Sequence, residues 1–484
     1  MSLASLTTSP SRRWLVLGVT VLAQFMVILD VAVVNVALPA MKGDLHFSED
    51  GLQWVITAYS ILFGGMLLLG GRLADLLGRR RLFMVGVAVF TVGSLLSGLA
   101  WSAASLIVFR ALQGLGGALL SPAALSLIVT TFPEGRGRNT ALGVWGAASG
   151  SGGAVGVLLG GILTSYAGWS WIFFVNLPVG VAVLAATPFL VSESRGALTH
   201  RHFDVAGAIS VTAGLMLLSY AIASAANRGW SNATTIGMLV ASAALVGAFA
   251  AIEQRSPAPL LPLRVFRSRT ISAANAAMLT IGAVAFAQFF LLTLYLQQVL
   301  HYSALKTGVA FLGITVVIAT ASNVAQLLTT RFGVRRMLLL GTLMSAVAGL
   351  YYAQTPVHGS YFTNVFPAFV VGGIGLAFSF VPVTIASLTG VAPADAGVAS
   401  GLINTTRQVG GSIGLALVTT IAATASANYG VGTAALNHGF HVALYALAAI
   451  SLLGAGFAAA LERPRHAPQP DVVVDAPPVL KEAA

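Results

Sequence analysis

Leu73-Ala74-Asp75-Leu76-Leu77-Gly78-Arg79-Arg80-Arg81-Leu82 is a basic turn set between two apolar runs. A second such turn, Leu328-Thr329-Thr330-Arg331-Phe332-Gly333-Val334-Arg335-Arg336-Met337, stands 255 residues further on. At that offset Gly78 pairs with Gly333, Arg80 with Arg335 and Arg81 with Arg336. Basic turns recur by chance wherever loops are rich in arginine. A glycine in phase with the basic pair favours duplication. The chain then divides into two halves of six apolar runs each, with two further runs inserted between them. Parallel repeats of this kind are a known transporter plan, with the substrate site at the repeat interface.

Composition bounds the class. Of 484 residues, 57% are hydrophobic and 8% are charged, and the mean hydropathy is +0.89. A soluble chain carries roughly 25% charged residues, so a soluble enzyme is excluded. A spanning helix needs about 20 apolar residues, so fourteen spans take roughly 280. The expected spans are 14–38, 53–71, 82–100, 104–128, 140–166, 171–192, 205–226, 234–252, 270–297, 306–329, 337–354, 363–389, 399–423 and 437–461. The expected organisation is a cytoplasmic tail over 1–13 and a six-helix bundle over 14–192. Linkers and inserted helices 7 and 8 follow over 193–269, then a second bundle over 270–461 and a disordered tail over 462–484. There are no cysteines, so disulfides, thiolate metal sites and cysteine nucleophiles are excluded.

The net charge is +11, and its placement argues against nucleic acid as a partner. With the N-terminus inside, Lys42, Arg228 and Lys306 alone fall in outer loops, and Arg110 and Arg407 lie inside helices. The other 20 of the 25 basic residues fall on the cytoplasmic side. This is the positive-inside asymmetry, with the bases positioned to touch anionic lipid. Ser11-Arg12-Arg13-Trp14-Leu15 looks like a twin-arginine or signal-peptide start. The apolar run behind it is too long for one, so it reads as the first span.

Several motifs now carry a family resemblance. Gly71-x-x-x-Asp75-x-x-Gly78-Arg79-Arg80-Arg81 resembles the signature loop of the major facilitator superfamily. Leu29-Asp30 through Asn35-Val36-Ala37-Leu38-Pro39 resembles the first helix of its fourteen-helix drug:proton antiporter branch. So do Arg110-Ala111-Leu112-Gln113-Gly114, Trp171-Ile172-Phe173 with Asn176 and Pro178, Ala399-Ser400-Gly401-Leu402 and Arg407-Gln408-Val409-Gly410. The resemblance implies an all-α, polytopic major facilitator fold and an exporter that exchanges protons for amphipathic compounds by alternating access. It also implies that Asp75 latches the cytoplasmic side against the start of helix 13. Two positions depart from the pattern: the usual Gly-Pro of helix 5 is Gly156-Val157, and the arginine between two tryptophans is Ser170. Gly146, Gly150, Gly153, Gly156 and Gly160 keep helix 5 glycine-dense, which allows close helix packing with or without a role in antiport.

Of fourteen acidic residues, Asp30 alone lies well inside a helix. A carboxylate in the hydrocarbon zone costs a few kcal/mol, so it reads first as a proton or cation site and second as a structural charge neutralised by an arginine. Asp30 lies about 24 Å above the inner end of helix 1, and Arg110 about 9–12 Å below the outer end of helix 4. The two depths match, so a pair is expected, direct or through water. Burial favours the neutral acid and the arginine favours the carboxylate, a contest that a carrier can turn into proton loading and release. Asp75, in a basic turn with Arg79, Arg80 and Arg81, reads as a gate or as a solvated loop carboxylate. The expected cavity residues are Phe25, Asn35, Trp54, Tyr59, Gln113, Phe290, Tyr295, Gln297, Phe380, Asn404 and Arg407. Large apolar walls with few polar groups suit amphipathic ligands, although each aromatic can also be packing.

No Walker loop, His-Glu-x-x-His or Gly-x-Ser-x-Gly occurs, so neither an enzyme nor an ATP-driven pump is expected, and no catalytic residue, metal or cofactor. The expected partners are a small neutral or monocationic substrate, protons and lipid, with the chain acting as a monomer in the inner (plasma) membrane of a bacterium. A dedicated exporter of one endogenous metabolite, such as an antibiotic or siderophore, is the nearest alternative. A channel or sensor is remote.

The topology has a direct test. Single cysteines at Ser2, Ser231, Ser360 and Ala483 should report in, out, out and in to an impermeant thiol reagent. A C-terminus labelled from outside contradicts the fourteen-span count.

Overall fold

The structure, a computed structural model, describes residues 10–47, 52, 54–195, 204–256, 259, 261, 263–389, 391 and 395–461. The tails beyond residue 461 and before residue 10, with Arg201, therefore lie outside the described residues. Fourteen long helices carry the described chain, with no strand among those residues. They are α1 (Pro10–Asp44), α2 (Trp54–Leu77), α3 (Arg79–Gly98), α4 (Ala103–Thr131), α5 (Arg136–Tyr166), α6 (Trp171–Leu190) and α7 (Val205–Arg228). The rest are α8 (Ala233–Arg255), α9 (Arg269–Val299), α10 (Ala304–Phe332), α11 (Val334–Tyr352), α12 (Tyr361–Leu388), α13 (Ala396–Tyr429) and α14 (Thr433–Ala459). Counted over the described residues, thirteen are long and apolar enough to cross a membrane. The helix α5 has 31 residues and carries an apolar stretch over Val155–Tyr166.

Several helices run past their expected ends. One correction bears on the site: α2 continues to Leu77 rather than stopping at residue 71, so Gly71 and Asp75 are helical. Charged residues ended the helix in the sequence reading, but a buried, paired charge does not interrupt backbone hydrogen bonding.

The duplication is visible in the packing. In the first half α1 packs on α4, α5 and α6, and α4 on α2 and α3. In the second half α9 packs on α12, α13 and α14, and α12 on α10 and α11. Each contact recurs eight helices later. The halves meet where α2 packs on α13 and α5 on α10, two seams that exchange under the same correspondence. The inserted α7 packs on α8, α2 and α13, covering one seam from outside. Gly78 and Gly333 both take positive φ, +113° and +86°. Each lets the chain turn out of one helix and straight into the next, a conformation that a Cβ resists.

Close helix approach follows the repeat as well. A Cβ on Gly156 would press on Ala32 at 2.6 Å and one on Gly160 on the Val33 carbonyl at 2.9 Å, which seats α5 on α1. Gly410 and Gly414 seat α13 on α9 in the same way, against Leu279 and Ala283. Gly146 faces a different helix, meeting Val381 of α12 at 3.1 Å. A Cβ on Gly153 would meet no described atom within 4 Å, so its expected packing role is corrected: the residue faces open space. Gly150 lies outside the described side chains.

One glycine pair tests this packing. Gly410→Ala places a methyl against the Leu279 carbonyl and should cost about 1–3 kcal/mol by overpacking. Gly456→Ala, with nothing within 4 Å, should gain about 0.5–1 kcal/mol from helix propensity. Thermal unfolding in detergent should separate the two in opposite directions. Equal midpoints contradict the packing.

Candidate functional site

Asp30 is sealed from solvent at the centre of a polar cluster built on five helices of the first half. Its Oδ2 accepts from Arg110 Nη1 at 2.6 Å. Its Oδ1 accepts from Gln113 Nε2 at 2.7 Å and from Asn176 Nδ2 at 3.1 Å. Arg110 also donates to the Gln113 side-chain oxygen at 2.7 Å and, through Nε, to the Val55 carbonyl of α2 at 3.2 Å. Asn176 donates to Ser94 Oγ of α3, which in turn donates to the Phe173 carbonyl. The pair between α1 and α4 is therefore direct.

Local sequence explains the geometry. Arg110 and Gln113 stand one turn apart on α4, so both reach the same neighbour. Gly114 and Gly117 continue that face and let Tyr59 and Phe63 of α2 approach. The Tyr59 ring lies 4.3 Å from the Arg110 guanidinium carbon, and the Phe173 ring 5.7 Å. Leu29, Val33, Val55, Leu106, Ile172 and Phe173 form one buried apolar cluster beside the pair. Met26, Val27, Tyr59, Phe63 and Phe90 belong to the main core. The site is closed to solvent, and the ion pair is supported by hydrogen bonds to both oxygens of Asp30 and from Nε and Nη1 of Arg110; removing one member of such a pair costs about 3–5 kcal/mol.

A second buried carboxylate sits at the end of the bundle that carries the basic turns. Asp75, in the last turns of α2, accepts from Arg79 Nη2 at 2.6 Å and Nε at 3.1 Å. It also accepts from the backbone N–H groups of Gly397 and Val398, both at 3.1 Å. These are free donors in the first turn of α13, where the helix dipole favours an anion. Gly71 and Gly397 face each other across the same seam. Asp75 and Arg79 are buried, so the solvated-loop reading of Asp75 is corrected. At the other seam the corresponding contact is one uncharged hydrogen bond, from Asn139 of α5 to Thr330 Oγ1 of α10 at 3.3 Å. Among the described residues, the charged contact is thus found on one seam of the two.

Between the halves lies a narrow cavity with a free volume of about 10 Å³, room for little more than a water molecule. Leu125, Trp145 and Gly146 line it from α4 and α5, and Met278, Phe380, Thr384, Ile403, Asn404 and Arg407 from α9, α12 and α13. Phe380, Asn404 and Arg407 were expected there. The others stand elsewhere. Gln113 is taken up by Asp30, and Tyr59 is stacked on Arg110. Trp54 stacks on Tyr220 of α7 at 5.7 Å, on the outside of the seam. Phe25 packs beside Gly152 of α5. Asn35 is exposed and bonds back to the Val31 carbonyl. Tyr295 is buried within the second half and donates to the Pro356 carbonyl at 2.8 Å. Phe290 is exposed and Gln297 half-buried, and neither lines the cavity. Helical periodicity gives a face but not the neighbour, and in a bundle with fourteen helices most faces meet another helix rather than a lumen.

Three residues hold positions in these clusters that the sequence did not assign to them. Asn176 and Ser94 complete the Asp30 cluster, and Glu193 ties the end of the first half to the basic turn. Glu193 accepts from the backbone N–H groups of Arg80 and Arg81 at 3.1 and 3.2 Å, capping α3. The signal available for Asn176 was a polar side chain in the apolar Ile172–Val179 stretch.

The profile of the Major Facilitator Superfamily matches residues 20–415. The chain is 41% identical to "Puromycin resistance protein pur8" of Streptomyces alboniger over 92% of this chain and 90% of that protein. It is 38% identical to "Cephamycin export protein CmcT" of Amycolatopsis lactamdurans over 86% and 85%. It is 36% identical to "Tetracenomycin C resistance and export protein" of Streptomyces glaucescens over 84% and 75%. Among solved structures, the crystal structure of the human organic anion transporter MFSD10 (TETRAN) matches with a TM-score of 0.66 at 15% identity, covering 93% of this chain and all of that one; this likeness concerns the fold. The profile match across most of the chain and the relatives above 30% identity make the chain a member of the Major Facilitator Superfamily.

Proposed function

We propose that this chain exports amphipathic antibiotics or drugs across the inner membrane of a bacterium, driven by protons moving the other way. The relatives named for antibiotic resistance and export support the cargo. The observation that carries the coupling is the Asp30–Arg110 pair, a buried carboxylate whose charged partner among the described residues is a guanidinium at 2.6 Å. In this reading a proton and Arg110 compete for the carboxylate. A proton arriving from outside neutralises Asp30 and frees Arg110. Because the cluster joins α1, α3, α4 and α6 and reaches the α2 backbone, that exchange loosens one half of the bundle and biases it against the other. Inward proton movement supplies about 2.3 kcal/mol per charge per 100 mV. No cofactor is needed, and a single chain suffices because both halves of the cavity come from it.

The Asp75 latch holds the basic end closed in this cycle, and the positive-inside asymmetry makes that end cytoplasmic, with both termini on the same side. A strain lacking its own drug pumps, with and without this gene, should show raised resistance to amphipathic antibiotics, and the breadth of the profile separates a broad pump from a dedicated one. No change in resistance to any compound contradicts export.

Two variants test the machinery in proteoliposomes with an imposed pH gradient. Asp30→Asn removes the titratable proton at constant size and should abolish uphill accumulation while downhill equilibration continues. Full proton-dependent accumulation in this variant places the coupling elsewhere. Asp75→Asn should slow transport about tenfold, equivalent to ~1.4 kcal/mol on the limiting barrier, while equilibrium binding holds. Lost binding with a normal saturated rate contradicts a gating role.

A further inference from the structure

Arg407 enters the cavity between the halves from α13, and its surroundings differ from those of Arg110. Its Nε is sealed from solvent and has no hydrogen-bond partner. Among the described residues, no acidic side chain pairs with it. Asp30, the acid deep in the bundle, is occupied by Arg110, Gln113 and Asn176. Asp75 is occupied by Arg79 and the start of α13. A guanidinium cannot shed its proton in a protein, so this cation stays charged in a buried pocket of mixed polar and apolar lining. Its backbone is pinned, because Gly282 of α9 packs on the Arg407 carbonyl, so the group cannot swing away with the main chain. Tyr59 lies within electrostatic reach of both Arg407 and the Asp30 pair, and its hydroxyl is likewise buried without a partner.

Two buried donors without acceptors, one of them cationic, are costly in a resting protein, and such groups call for a partner that arrives from outside. The complement of a guanidinium is an oxyanion, held by charge-assisted hydrogen bonds. Trp145, Phe380, Met278 and Ile403 supply apolar walls for the rest of such a molecule. We propose that the cavity selects substrates carrying an oxyanion, a carboxylate or an ionised phenol or enol, which docks on Arg407. This deepens the export reading and rests on it; it replaces the expectation of a neutral or monocationic cargo. The cation in the cavity would repel a monocationic drug, and the one deep carboxylate is already paired.

The test uses three fluorescent probes with one ring system: 9-anthracenecarboxylate, its methyl ester and 9-(aminomethyl)anthracene. Binding to the purified full-length protein in detergent is measured against protein-free micelles. Wild type should bind the carboxylate more tightly than the ester or the amine. Arg407→Gln should lose about tenfold or more in carboxylate affinity and keep ester affinity within about twofold, which also reports that it is folded. Arg407→Lys, which retains the charge, should keep the preference for the carboxylate over the ester. The proposal is overturned if wild type does not bind the carboxylate or binds the ester or amine as well. Unchanged carboxylate affinity in Arg407→Gln, or loss of the preference in Arg407→Lys, overturns it equally. Resistance conferred in cells without a carboxylate preference would remove this assignment and leave export standing. A carboxylate preference without any resistance phenotype would do the reverse.

Discussion

A carboxylate and a guanidinium, both cut off from solvent, face each other at 2.6 Å between α1 and α4. In a bilayer core no water compensates either charge, so each must be satisfied by protein. That requirement accounts for much of the surrounding sequence. Gln113 and Asn176 are there to fill the remaining lone pairs of Asp30, and Ser94 holds Asn176 in place. The glycine face of α4 brings Tyr59 over the guanidinium. Each is a small term, but any one missing would leave a buried polar group unpaired.

The cluster lies wholly within the first half, whereas the cavity is shared between the halves. Asp75 also belongs to the first half, but its hydrogen bonds reach across to α13. The repeat therefore has a division of labour: charge chemistry on one side, a latch across one seam, and an unpaired cation contributed to the shared cavity by the other side. Helix packing obeys the pseudo-symmetry closely, while the ionisable groups break it. Thr330 stands where the repeat would place a counterpart of Asp75. Proteins built from duplicated halves need such a break if the two seams are to open at different points of a cycle.

Much of this was legible in the sequence, for identifiable reasons. The spans and the deep position of Asp30 follow from hydrophobic length. Its match in depth with Arg110 follows from the rise per residue. The paired glycines at 78 and 333 were visible as an offset and became two turns with positive φ. What the sequence did not yield depends on rotation about helix axes. Tyr295 and Trp54 read as cavity aromatics and instead pack against a loop and an inserted helix. Gly153 sits among glycines that pack closely yet faces open space. Asp75 read as part of a turn because a charge was taken to end a helix; its partners, 322 and 323 residues away, could not be seen from its neighbours. Asn176 was visible as a motif residue, but nothing local distinguishes an asparagine that holds a carboxylate from one that caps a helix.

The central claim is that Asp30 exchanges Arg110 for a proton. Infrared difference spectroscopy of the purified protein reads that exchange directly, because a protonated carboxylic acid in an apolar site has its own carbonyl stretch. Acidification of the wild type should produce a band from a buried acid that is slow to shift in heavy water, and the same band should be missing from Asp30→Asn. Identical difference spectra for the two proteins would show that Asp30 keeps one protonation state throughout, and the pair would then be a structural ion pair rather than the coupling site.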